Sequence, residues 1–105
     1  MKLFALRIAL AAALCGGAAD AAPTVHKVEI DGFEFRPPVA TVKSGDIVEW
    51  RNADPVPHTV TADDAGLDSG VLAAGGTFRF IAKRKGRYEY VCTLHSTMKG
   101  TLVVE

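Results

Sequence analysis

Two stretches near the C-terminus alternate polar and apolar residues with a period of two. Residues 77–81 read Thr, Phe, Arg, Phe, Ile, and residues 86–92 read Gly, Arg, Tyr, Glu, Tyr, Val, Cys, with a basic turn at 83–86 between them. That period belongs to a strand with one buried face; a helix repeats its faces every 3.6 residues. Most of 22–105 follows suit. Short runs rich in Val, Ile, Phe and Thr are broken at Asp31 and Gly32, at Pro37 and Pro38, at Ser44, Gly45 and Asp46, and across 52–57. Only 63–76, rich in Gly and Asp, shows neither a strand nor a helix period. Many short strands with Gly and Pro punctuation predict an all-β protein, an antiparallel sandwich or barrel. A chain of 105 residues holds one such domain and no second core.

Residues 1–21 read differently. Lys2 and Arg7 lead into the apolar run 8–15, and small residues follow up to Ala19, Asp20 and Ala21. A basic start, a short apolar middle and small residues at −3 and −1 make a cleaved secretory signal. The apolar run falls short of the ~20 residues that span a bilayer. Cleavage is expected after Ala21, and Leu14 before Cys15 argues against a lipoprotein anchor. The expected organisation is a signal peptide over 1–21 and one domain over 22–105, located in the periplasm. Without the signal, 10 basic and 11 acidic residues remain, and Cys92 is the one cysteine. Near-neutral charge argues against nucleic-acid binding through a basic surface. A single thiol cannot form an intrachain disulfide, so in an exported domain it is dimeric, reactive or bound to something.

Alternation puts Cys92 on the inner side of its strand with Tyr88 and Tyr90, while Arg87 and Glu89 face water. A buried cysteine is often a small apolar filler. Its neighbours argue for more. Cys92, His95 and Met98 stand three apart in one tight loop bounded by Gly100, and His58 follows Pro57 far upstream. One thiolate, two imidazoles and a thioether make up the donor set of a type 1 copper centre. Soft sulfur suits Cu(I), imidazole suits both oxidation states, and a long axial Met tunes the potential. Zinc prefers a site closed by Cys, His or carboxylate, and Met is a poor ligand for it. A binuclear copper centre would want a second cysteine. A cysteine protease is disfavoured because nothing marks an oxyanion hole and His95 is cramped against the sulfur. His26, the Lys83, Arg84 and Lys85 turn, and Asp63, Asp64 and Asp68 read as surface; Trp50 and Phe80 read as core.

These motifs resemble those of the cupredoxin family. The two-residue spacing between Cys92, His95 and Met98 is similar to that of amicyanins rather than the longer loops of plastocyanin, pseudoazurin and azurin. Matches continue through 42–50, through Asp54 to Val60 with Pro57 and His58, and through 86–92 and 100–105. The resemblance implies a Greek-key β-sandwich of about eight strands holding one copper ion through His58, Cys92, His95 and Met98. It implies no enzymatic activity but single-electron transfer between redox partners. The alternative is a periplasmic copper carrier or buffer with the same ligands. His95 would reach the surface as the electron exit, with Cys92 and His58 anchored on strands and His95 and Met98 riding a loop. A monomer is expected. Its partner would be a c-type cytochrome, or a dehydrogenase, docking on an apolar rim of Val56, Pro57 and Leu94 with Leu67 or Leu72.

Two departures from the family pattern carry expectations of their own. Thr59 stands where the family often has Asn, and its hydroxyl is expected to tie the His58 segment to Thr93. Leu94 and Ser96 stand where amicyanins have prolines. Because proline lacks an N–H, Leu94 is expected to restore a donor near the Cys92 sulfur.

Overall fold

In the longer strands every second side chain is inside. Val48, Trp50 and Asn52 are buried on one strand while Arg51 points out, and Tyr90 and Cys92 are buried on another while Arg87 and Glu89 are exposed. The computed structural model describes residues 22–105, so the signal peptide expected over 1–21 lies outside the described residues.

The described residues form nine strands: β1 (Val25–Ile30), β2 (Phe35–Arg36), β3 (Val39–Val42), β4 (Ile47–Asn52), β5 (Thr61–Ala62), β6 (Leu67–Asp68), β7 (Thr77–Ile81), β8 (Gly86–Cys92) and β9 (His95–Val104). A single 3₁₀ turn, Asp63–Ala65, is the one helical element among the described residues. The strands form a four-stranded sheet in the order β2-β1-β4-β7 and a five-stranded sheet in the order β3-β9-β8-β5-β6. This is the β-sandwich expected, with β2, β5 and β6 only two residues long.

The antiparallel expectation needs one correction. β1 pairs with β4 in parallel, and β3 pairs with β9 in parallel. Parallel neighbours need a long crossover. Here the chain supplies it by passing from β1 and β2 to β3 in the other sheet before returning to β4. Alternation within a strand reports which face is buried, not the direction of its neighbour.

The core lies between the sheets. Val28, Ile30, Val48 and Trp50 from one side meet Tyr90, Cys92, Leu102 and Val104 from the other. Each large side chain so buried contributes roughly 1.5–3 kcal/mol. The Tyr90 ring stands edge-on to Phe35, with centroids 4.7 Å apart, and to Trp50 at 5.5 Å. Gly100 sits opposite Tyr90 in the β8–β9 ladder, where a Cβ would overlap the phenol ring. That packing holds the end of β8, and Cys92 with it, against the sandwich.

Candidate metal centre

Cys92 is the last residue of β8, wholly buried, and paired across the ladder with His95, the first residue of β9. Thr93 and Leu94 alone make the turn between the two strands. The register then jumps: Val91 faces Lys99 while Cys92 faces His95, so residues 96–98 bulge from the ladder. Bulges of this kind re-aim side chains beside functional sites. Met98 lies in the bulge, only 3% exposed and packed in the same buried cluster as Cys92. The loop expected to carry His95 and Met98 is therefore a tight hairpin turn followed by a bulge, and His95 is ladder-bound. Regular alternation could not reveal this, because the bulge breaks it.

His58 comes from a third stretch of backbone. It belongs to no strand; its N–H and carbonyl exchange hydrogen bonds with Leu72 (3.1 and 2.8 Å), forming an isolated bridge. The side chain is fully buried. The Nδ1 atoms of His58 and His95 both lie 3.7 Å from Cys92 Sγ. One donor atom each from His58, Cys92 and His95 falls within 4.8 Å of the others. The two imidazoles stand 5.0 Å apart at 63°. A soft sulfur and two imidazole nitrogens converging at that spacing suit copper, and no carboxylate joins the donor set.

The shell around these donors is also built. His58 Nε2–H donates to Asp54 Oδ2 at 2.8 Å, which leaves the Nδ1 lone pair turned toward the sulfur. The same carboxylate accepts the backbone N–H groups of Gly32 (2.7 Å) and Phe33 (2.9 Å). Burial pushes the Asp54 carboxyl up, but the Phe33 and Gly32 N–H groups and His58 outweigh it and hold the group below the usual carboxylate range. On the other flank, Thr59 N–H donates to Cys92 Sγ at 3.4 Å. Thr59 Oγ1 accepts the Thr93 N–H at 2.9 Å and lies 3.1 Å from the Thr93 hydroxyl. The expected Thr59–Thr93 tie is present.

The donor expected from Leu94 is not: among the described residues the backbone hydrogen bond to the sulfur comes from Thr59. Within the expected apolar rim, Leu94 is 49% exposed, Pro57 is exposed and Val56 is half-buried. Leu67 and Leu72 are buried core instead, because β6 pairs with β5 and Leu72 bridges to His58. Sequence reading gave no role to Asp54 or Phe33. The signals for Asp54 were its place at the head of the matching stretch 54–60 and a carboxylate four residues ahead of a candidate histidine ligand.

A family model described as the cupredoxin-like domain matches residues 4–104. The chain is 30% identical to amicyanin-alpha of Methylorubrum extorquens over 110 residues, covering all of this chain and 92% of that relative. It is 31% identical to amicyanin of Paracoccus denitrificans over 93 residues, covering 84% of this chain and 71% of the other. Among solved structures, a reduced amicyanin variant superposes with a TM-score of 0.73 at 30% identity, covering 83% of this chain and 88% of that one. Fold, sequence and donor cluster agree, and the chain belongs to the cupredoxin family of copper-binding electron carriers.

Proposed function

We propose that this protein is a periplasmic single-electron shuttle whose copper is held by His58 Nδ1, Cys92 Sγ, His95 Nδ1 and, more weakly, the Met98 thioether. The observation that carries the reading is the convergence of one thiolate and two imidazole donors within 4.8 Å. Bound there, copper supplies the one-electron couple between its cuprous and cupric states.

The chain's own residues supply rigidity. His58 is held on both sides, by Leu72 through its backbone and by Asp54 through its ring. Cys92 and His95 are ladder partners across a two-residue turn. Donors fixed this way cannot follow the geometric preference of either oxidation state, which keeps reorganisation on electron gain or loss small. Thr59 N–H, directed at the sulfur, stabilises negative charge on the thiolate.

Of the three convergent donors, His58 and Cys92 are buried and His95 alone is partly exposed. His95 is thus the donor that a partner can approach, across the surface bearing Leu94 and Pro57. A c-type cytochrome or a dehydrogenase docking there is the partner class proposed. The basic start and small-residue end of 1–21 support export to the periplasm.

Cupric loading of the purified mature domain tests the site, since a thiolate–Cu(II) bond gives intense blue colour. Stopped-flow mixing of the reduced holoprotein with an oxidised c-type cytochrome then tests the shuttle. Rapid electron exchange is expected. A colourless loaded protein contradicts the site, and fast copper hand-off without electron exchange favours a carrier.

A further inference from the structure

The turn between β1 and β2 carries a backbone strain whose purpose lies at the metal centre. Phe33 is the one non-glycine residue with positive φ among those described, at 62°. A left-handed conformation is unfavourable for an L-residue, so glycine is the default there. Phe33 is also 46% exposed, so a large apolar ring is left partly in water. Neither feature serves the core.

Both features are explained by what the ring touches. Its centroid lies 5.1 Å from the His58 ring at 86° and 4.8 Å from the His95 ring at 83°. Edge-on aromatic contacts at such distances are attractive beyond the area they bury. One aromatic ring therefore braces both imidazoles at once. The brace is fastened through Asp54, whose carboxylate takes the N–H groups of Gly32 and Phe33 and the Nε2–H of His58. Asp54 is 5% exposed, and its backbone N–H donates to the Asn52 side-chain oxygen at 2.9 Å.

We propose that Phe33 and Asp54 are positioning residues of the copper centre: Asp54 locks the turn and His58 to one carboxylate, and the Phe33 ring, wedged against both imidazoles, keeps them aimed at the sulfur and slows the exit of copper. This rests on the ligand assignment under Proposed function. With the brace in place the imidazoles are ordered before metal arrives, and a chelator reaches the metal position only after the ring has moved. Asn at position 54 keeps one acceptor oxygen but turns the other atom into a donor, so it cannot accept all three N–H groups.

Phe33→Gly separates the brace from the fold, because it removes the ring while relieving the positive φ. Urea unfolding of the metal-free variant is expected to show stability equal to or above wild type. Release of Cu(I) to a colorimetric cuprous chelator is expected to accelerate about ten-fold or more, the scale of effects seen when outer partners of metal ligands are removed. Phe33→Tyr, which keeps a flat ring, restores slow release. Imidazole ¹⁵N–¹H spectra of the metal-free protein give a readout independent of copper: wild type shows one His58 tautomer protonated at Nε2, and Asp54→Asn shows a mixture. Equal release rates in wild type and Phe33→Gly, or a single unchanged His58 tautomer in Asp54→Asn, overturn the proposal while leaving the ligand assignment standing. Failure of wild type to take up copper overturns both.

Discussion

At the scale of single residues, the side chains that matter most make several bonds at once. Thr59 is one: its N–H reaches the Cys92 sulfur and its hydroxyl holds the Thr93 N–H beyond it. Thr59→Ala keeps the first contact and loses the second, stranding a partly buried donor at a cost of about 1–2 kcal/mol. In a domain of this size that is a fall of roughly 5–10 °C in the unfolding midpoint, accompanied by weaker copper binding. Thermal unfolding by circular dichroism and a copper competition titration check it; two unchanged values would refute the tie. Tyr90 offers the opposite case. Burial pushes its phenol up to about 12, opposed by the nearby Trp50 indole, yet neither Tyr90 Oη nor Trp50 Nε1 has a hydrogen-bond partner among the described residues. An unpaired buried hydroxyl is a liability. Tyr90→Phe keeps the edge-on contacts with Phe35 and Trp50 and is expected to leave stability unchanged or raise it by up to ~2 kcal/mol in urea unfolding. A loss of more than about 1 kcal/mol would mean that the hydroxyl has a partner after all.

At the scale of elements, the β8–β9 hairpin governs the site. Its ladder is regular through Tyr90–Gly100 and Val91–Lys99 and breaks between Val91 and Cys92, and the three residues 96–98 left over form the bulge that carries Met98. Gly100 sits one rung beyond the point where regular pairing resumes, and only a residue without Cβ fits there beneath the Tyr90 ring. Gly100→Ala forces that ring or the strand to move and should cost about 1–3 kcal/mol. Because the displaced strand leads directly into the bulge, the visible absorption of the copper form should shift as well. Denaturant unfolding with the spectrum of the loaded variant measures both effects, and a wild-type spectrum would show that bulge and ladder are uncoupled. The last strand was legible only from residue 101 onward. The β-branched run there is evident, whereas 95–100 carries no alternation because the bulge interrupts it.

At the scale of the whole molecule, acid and metal act on the folded state as a unit. Asp46 joins the β3–β4 turn to the N-terminal segment by accepting from His26 Nε2, from the Thr24 N–H and from the Lys43 N–H. The His26 bond is the largest of the effects that hold its carboxyl below the usual range. Glu49 is lowered in the same direction, chiefly by the hydrogen bond from Arg79 across the β4–β7 pair. A carboxylate whose pKa is depressed on folding contributes stability above its unfolded value and loses it as pH falls through the folded one. Stability is therefore expected to hold above about pH 5 and to decline progressively below about pH 4. Urea midpoints of the metal-free protein across pH 2–6 test this, and a flat profile would contradict the sign. Copper acts the other way. A ligand that binds only the folded state at a hundred times its dissociation constant adds about 2.7 kcal/mol, so the loaded form should unfold several degrees higher.

Strand identity and the candidate donors of the β8–β9 hairpin were legible in the amino-acid order because both rest on local rules. A period of two marks one-sided burial in β4, β7 and β8, and the spacing of Cys92, His95 and Met98 is a property of one short stretch. His58 was legible by its residue type and its place after Pro57, but its distance from the sulfur was not. Three things were decided by the tertiary structure alone: the parallel pairing of β1 with β4 and β3 with β9, the burial of Leu67 and Leu72, and the meeting of Phe33, Asp54 and His58. Each depends on which distant segments become neighbours. Phe33 and Asp54 lie in separate turns 21 residues apart, and only closure of the sandwich brings that carboxylate under that turn. Local physics chooses the elements and their chemistry; the packing of one sheet on the other chooses what that chemistry touches.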